Sequence, residues 1–394
     1  MKSNSLYIAL IALICLGSCL EPFEPKLSDS NKEFFIVDGI ITDQEGPYTV
    51  KISKSTSLVV KNKPVSNIDV KIEDEDGNIE SLWESSPGVY QTVSLQGQVN
   101  KSYRLILNNG SNQYLSTWEK IPHSSTIDSV YYRVEDKATT DKEDNLTGVQ
   151  FFIDSHGSSE STKYYRYEWE EVWKIGVYWP SYYDYLGDDR IKTTENPRYT
   201  CWKYENPTSI NIATTEGLKE NVLSRHLLGF ITGEKERFTQ RYSLLVKQFA
   251  LGEKEYKFWR NLQESNEEIG GLFDRQPAKV LSNLSNPSDP KDEILGYFSA
   301  SGLREKRVYV NSSEVPRELF RRPQCFALDT LTKDSLGSVY EIAIFDQLKN
   351  GKFFYDLLLS GVSPVPIGVL LSKPSCSDCT KKGAVLDKPN FWDE

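Results

Sequence analysis

Between Phe34 and Ile121 the chain alternates short apolar runs with two- and three-residue turn signals, and that rhythm limits the folds open to it. The runs FFIVDGII, YTVKISKS, IDVKIEDEDG, YRLILNN and YLSTWEKI are rich in β-branched and aromatic residues. Several alternate apolar with polar, the period of a strand with one face buried. Glu45-Gly46-Pro47, Asp76-Gly77-Asn78, Pro87-Gly88 and Asn109-Gly110 punctuate them with residues that tolerate tight turns. Short strands at such intervals predict an Ig-like β-sandwich over 34–121. The acidic run Asp74-Glu75-Asp76-Gly77-Asn78 invites a calcium loop. A loop of that kind starting at Asp74 needs glycine at its sixth position and glutamate at its twelfth, where this chain has Ile79 and Ser85. A hairpin turn is expected there.

Pro122 closes this unit, and residues 122–394 are expected to form a larger β-rich domain with one or two short helices. SVYYRVED and GVQFFIDS read as strands, and RFTQRYSLLVKQFAL as more of the same. KEYKFWRNLQES has helical spacing, with Tyr256, Trp259, Leu262 and Gln263 on one side and Gly270-Gly271 as a stop. Val339–Leu348 is a second candidate helix. The overall expectation is a mainly β protein.

Residues 164–185 hold ten tyrosines and tryptophans. Tyr165, Tyr167 and Trp169 alternate with Arg166 and Glu168, which reads as a strand feeding a core. Tyr178, Trp179, Tyr182, Tyr183 and Tyr185 lie in a stretch with Pro180 and Gly187, and are expected to form an exposed contact surface.

The N-terminus predicts where the protein is held. A single charge, Lys2, precedes an apolar segment from Leu6 to Leu16, too short to span a bilayer. Gly17 and Ser18 precede Cys19, as in a lipoprotein processing site. Residues 1–18 are then a signal peptide, and the Cys19 thiol carries the lipid. Buried acyl chains gain about 0.8 kcal/mol per CH₂. Residues 19–33 are polar, lack periodicity, contain two prolines, Pro22 and Pro25, and read as a tether.

 

Glu21 and Glu24 lie close behind the lipidated cysteine. Without residues 1–18 the chain keeps 376 residues (394 − 18), and its charge moves from −10 to −11 with the loss of Lys2. An acidic chain of this kind lacks the clustered Lys and Arg that nucleic acid requires.

Four cysteines remain: Cys201, Cys325, Cys376 and Cys379. In an exported chain they are expected to form structural disulfides in one of three connectivities, tying the C-terminal tail to the body. Cys376-Ser377-Asp378-Cys379 has the spacing of half a zinc site or of a redox motif, but His123, His156 and His226 are scattered singly and the motif lies in a Pro- and Lys-rich tail without a βαβ context, so no metal or cofactor is expected. GxSxG, HExxH, the P-loop and the Rossmann glycines are all missing from the sequence. The pairs Glu170-Glu171 and Asp188-Asp189 fit an acidic surface as well as they fit a glycosidase. No catalytic residue is assigned, and the expectation is a protein that is not an enzyme.

VDGIITDQEGPYTVKIS, SPGVYQT, EKEYKFWRNLQE, ILGYFSAS and CSDCTKKGAVLDKPNFW, in that order, resemble the Bacteroidetes lipoprotein family called domain of unknown function 4249. The resemblance runs from about Phe34 to Trp392. It implies an N-terminal sandwich similar to transthyretin-like or carboxypeptidase-regulatory modules, and a partner role beside TonB-dependent receptors. The acidic residues after Cys19 resemble the signal for the outer face of the outer membrane. The functional expectation is a surface-exposed, lipid-anchored accessory subunit of such a receptor, helping to capture or cover a ligand, with an outer-membrane β-barrel as partner. The alternatives are a scaffold subunit of an assembly or secretion complex, and a stand-alone carbohydrate-binding or adhesive protein. A Cys19→Ser chain is expected to lose palmitate labelling and leave the membrane fraction; labelling that survives the substitution would remove Cys19 as the anchor.

Overall fold

The computed structural model describes residues 33–55, 63–110, 112–138, 145–195, 197–267, 282–320, 325, 328–337, 340–360 and 363–392. The leader, Cys19, the tether up to residue 32, Gly270-Gly271 and Val339 lie outside the described residues. The protein is mainly β, as the strand rhythm predicts.

Its backbone is one long sheet whose strands run Trp83–Ser86, Val89–Gln91, Thr49–Ser55, Phe34–Thr42, Ile294–Asn311, Arg241–Ala250, Tyr164–Gly176 and Thr200–Glu205. Two smaller sheets cover it. Ile79–Ser81, Asp69–Asp74, Ser102–Asn109, Asn112–Ser116 and Leu284–Ser285 complete a first sandwich. Thr126–Ala138, Asn145–His156 and Val222–Thr232 complete a second. The first core gathers Val37, Ile41, Val50, Ile72, Leu105 and Phe298; the second gathers Phe151, Tyr167, Trp173, Phe238, Tyr242 and Val310. Burying each such side chain contributes roughly 1.5–3 kcal/mol.

The eighteen-residue strand Ile294–Asn311 belongs to both sandwiches. Ile294–Ser301 pairs in parallel with Phe35–Thr42, and Gly302–Asn311 pairs antiparallel with Ala250–Arg241. The first sandwich is therefore not the contiguous 34–121 unit expected from the strand spacing. It takes back Leu284 and Ile294–Ala300 from far along the chain to finish its core.

The sandwiches meet at the helix Glu253–Glu267, which buries Glu255, Tyr256 and Phe258. The Glu255 carboxylate accepts from Ser301 Oγ at 3.1 Å and from Trp259 Nε1 at 3.3 Å. Burial raises its pKa, with the nearby Arg166 charge working against the rise. The Arg166 guanidinium lies between the rings of Phe249 and Trp259, at 4.6 and 4.3 Å. Asp43 fastens the same junction, pairing with Arg304 at 2.7 Å and accepting from the Leu303 N–H at 2.8 Å.

At Asp74 the hairpin reading accounts for the geometry. Its carboxylate accepts from the N–H groups of Asp76 and Asn78 at 3.0 and 2.9 Å and pairs with Lys101 at 2.7 Å. Burial opposes ionisation, but the bonds from Lys101 and Asn78 outweigh it and hold the carboxyl at about 2.

Gly296 sets the tightest constraint on the shared strand. Its φ is +97°, and a Cβ there would sit 1.8 Å from the Val37 carbonyl oxygen. Gly296→Val is expected to cost at least about 3 kcal/mol in urea denaturation, because the parallel pairing must part. Gly77→Ala, at φ +84° with open space around it, is the control and should cost about 1 kcal/mol. Equal losses at the two sites would remove the close approach as the cause.

Candidate functional site

A third lobe follows the sandwiches. Asp329–Thr332, Ser363–Ser372 and Phe353–Ser360 form a three-stranded sheet, with the helix Tyr340–Lys349 packed on it. Its small core contains Ile344, Leu348, Phe354, Val369 and Leu371. The tyrosine-rich stretch is how this lobe joins the body.

The five expected contact residues divide. Trp179 is half-buried: its indole N–H donates to the Cys325 carbonyl at 2.9 Å, and its ring meets Tyr355 edge-on at 5.3 Å. Tyr183 packs edge-on against Phe354 at 4.5 Å, and Tyr185 lies 6.4 Å from Phe345. Ser181 Oγ donates to the Phe354 carbonyl. Tyr183 and Tyr185 belong to the hairpin Tyr183–Gly187 and Arg190–Thr193, so these three rings act mainly in internal packing. Tyr178 and Tyr182 stay exposed, at 46% and 52%. By contrast Tyr165, Tyr167 and Trp169 lie in the second core, as their alternation predicts.

The disulfides are Cys201–Cys379 and Cys325–Cys376. The first ties the tail to the edge strand Thr200–Glu205; the second ties it to the entry of the lobe. Between them the tail is fixed by Asp378, which pairs with Arg198 at 3.0 Å, and by Trp202 and Val385, which exchange backbone hydrogen bonds at 2.8 and 2.9 Å. Trp392 is buried against Trp202 and Val172.

The acidic pairs are engaged in ion pairs. Glu170 pairs with Lys247 on one face of its strand, while Glu171 is buried and pairs with Arg237 at 2.8 Å. Asp188 and Asp189 occupy a turn at φ 49° and 56°, paired with Arg190 and Lys349. His123, His156 and His226 each meet a different Asn or Asp: Asn100, Asp128 and Asn211. Among the described residues, no group of three or more His, Cys, Asp or Glu is placed to hold a metal ion. No helix among them is long and apolar enough to cross a membrane.

The exposed apolar side chains on the lobe escaped sequence reading. Leu186, Ile342, Leu357, Leu359 and Ile367 all face solvent. Leu357 and Leu359 alternate in sequence, but a periodicity alone does not say which face a neighbouring sheet will leave uncovered.

The family described as Domain of unknown function (DUF4249) matches residues 20–307, and the chain belongs to it. The match covers both sandwiches up to the second half of the shared strand. The third lobe, Cys325, Cys376 and Cys379 lie beyond it, so it is shorter than the resemblance drawn from the motifs. No curated protein matches the chain.

Cys201→Ala with Cys379→Ala, and separately Cys325→Ala with Cys376→Ala, are expected to lower stability by roughly 2–5 kcal/mol each. The bridges close loops of 178 and 51 residues, so the first pair should cost about 1 kcal/mol more. Denaturation curves that rank the pairs the other way would show that loop closure does not govern the difference.

Proposed function

We propose that this member of the family is a lipid-anchored accessory subunit on the outer face of the outer membrane, working beside a TonB-dependent receptor without catalysing a reaction. The observation that carries the reading is a combination: a processing signature ending at Cys19, and a disulfide-held lobe that leaves Ile342 and Leu359 exposed, with Tyr178 and Tyr182 exposed on the stretch that joins it to the body. Large exposed apolar side chains gathered on one lobe suit a protein contact. A lipid and a short tether confine the chain to two dimensions and raise its effective concentration at a membrane partner. Rigid sandwiches would then hold the lobe at a fixed reach from the anchor.

The test is gentle detergent extraction of the tagged protein from its own membrane, with mass spectrometry of what accompanies it. A stoichiometric TonB-dependent receptor is the expected result, and Tyr178→Ala with Tyr182→Ala and Leu359→Ser should deplete it at least fivefold. Extraction alone, or with an assembly or secretion component in its place, overturns the receptor reading.

A further inference from the structure

The strand Tyr164–Gly176 has an interrupted edge. Tyr164–Tyr167 pairs with Thr214–Asn211, and Glu171–Gly176 pairs with Glu205–Thr200. Between them Glu168, Trp169 and Glu170 have a partner strand only on the other side, at Lys247–Leu245. Residues 206–210 arch across the gap. A cleft of about 470 Å³ lies on one side of this arch and one of about 400 Å³ on the other, both lined by Trp169 and Ser209.

Two buried donors at this gap have no hydrogen-bond partner: Arg166 Nε and Trp169 Nε1. Their residues are 8% and 7% exposed. A buried donor left unpaired costs free energy, and here one stands on each face of the same gap: Arg166 Nε on the side of Glu168 and Trp259, Trp169 Nε1 on the side of Gly229. We propose that the notch is a binding site for a neutral saccharide of one or two sugar rings.

The chemistry of the lining favours that class. Asp38, Glu168 and Glu170 face Lys51, Arg166 and Lys247, three charges of each sign. Glu168 pairs with Arg166, and Glu170 with Lys247, so the surface offers polar atoms without a net field that would select an ion. A sugar hydroxyl both donates and accepts, which suits carboxylates and orphan N–H groups together. Trp259 adds apolar ring surface on the Arg166 side of the gap, and Trp169 on the other. A through-running peptide strand fits less well: the gap is three residues long, about 10 Å, and is closed at each end by a strand already paired.

This site is separate from the lobe contact and does not depend on the receptor reading. The test uses the full chain on an array of neutral mono-, di- and trisaccharides, with tri-alanine and sialic acid as competing classes, followed by calorimetry. Saturable binding of a neutral mono- or disaccharide is expected. Trp169→Phe, which removes only the indole N–H and part of the ring, should weaken it at least fivefold. Ser209→Trp, an exposed substitution that fills the arch, should abolish it with an unchanged melting temperature. No binding across the array, binding of tri-alanine or sialic acid alone, or saccharide binding indifferent to Ser209→Trp would each overturn the proposal.

Discussion

The pairing of Ile294–Asn311 with two different neighbours is the constraint on which the rest depends. A strand that changes partner at Ser301 and Gly302 makes one continuous sheet out of two sandwiches. The change of partner requires that the second half lie against Arg241–Ala250 while the linker from the first sandwich passes close by. Gly302 permits this, since a Cβ there would meet Ser124 Oγ at 2.2 Å and the Pro122 carbonyl at 3.0 Å. The two bodies are therefore joined by backbone hydrogen bonds as well as by a linker, and their relative rotation is opposed by the whole ladder.

Charge burial at the same junction follows from this arrangement. Arg166 sits on a strand where alternation predicts an outward polar residue, yet it is covered by the helix that packs over the seam. Its charge is tolerated because two aromatic faces and the Glu168 carboxylate replace water. Glu255 is the complementary case, an acid on the buried face of the helix, supported by Ser301 from the shared strand. The Arg166 charge favours the ionised Glu255 carboxylate across the seam, so the two buried groups specify how the helix seats more than they add to stability.

Local pattern made the strands legible, because period-two alternation and turn chemistry are properties of neighbouring residues. It also located the helix, the hairpin at Asp74 and the core role of Tyr165, Tyr167 and Trp169. What it could not convey was partnership over distance. Nothing in ILGYFSAS says that it completes a sandwich begun 260 residues earlier, since its apolar run suits any buried strand. The disulfide pairing has the same character. Trp179, Tyr183 and Tyr185 were open to misreading for a related reason: a tyrosine on a loop looks alike whether it meets solvent or a lobe encoded 170 residues downstream.

The sheet's edges show how the later segments came to matter. An unpaired edge strand is a template for unwanted pairing. Thr200–Glu205 is such an edge, and the tail covers it through the Trp202–Val385 bridge, the Cys201–Cys379 disulfide and the Trp392 ring. The same strand stops at Glu205, and its neighbour begins at Asn211, so the edge beside Trp169 is left to an arch with no ladder bonds. Covering one stretch of edge with a cross-linked tail while leaving the next open confines any edge-on ligand to a three-residue window, whose width the flanking strands fix.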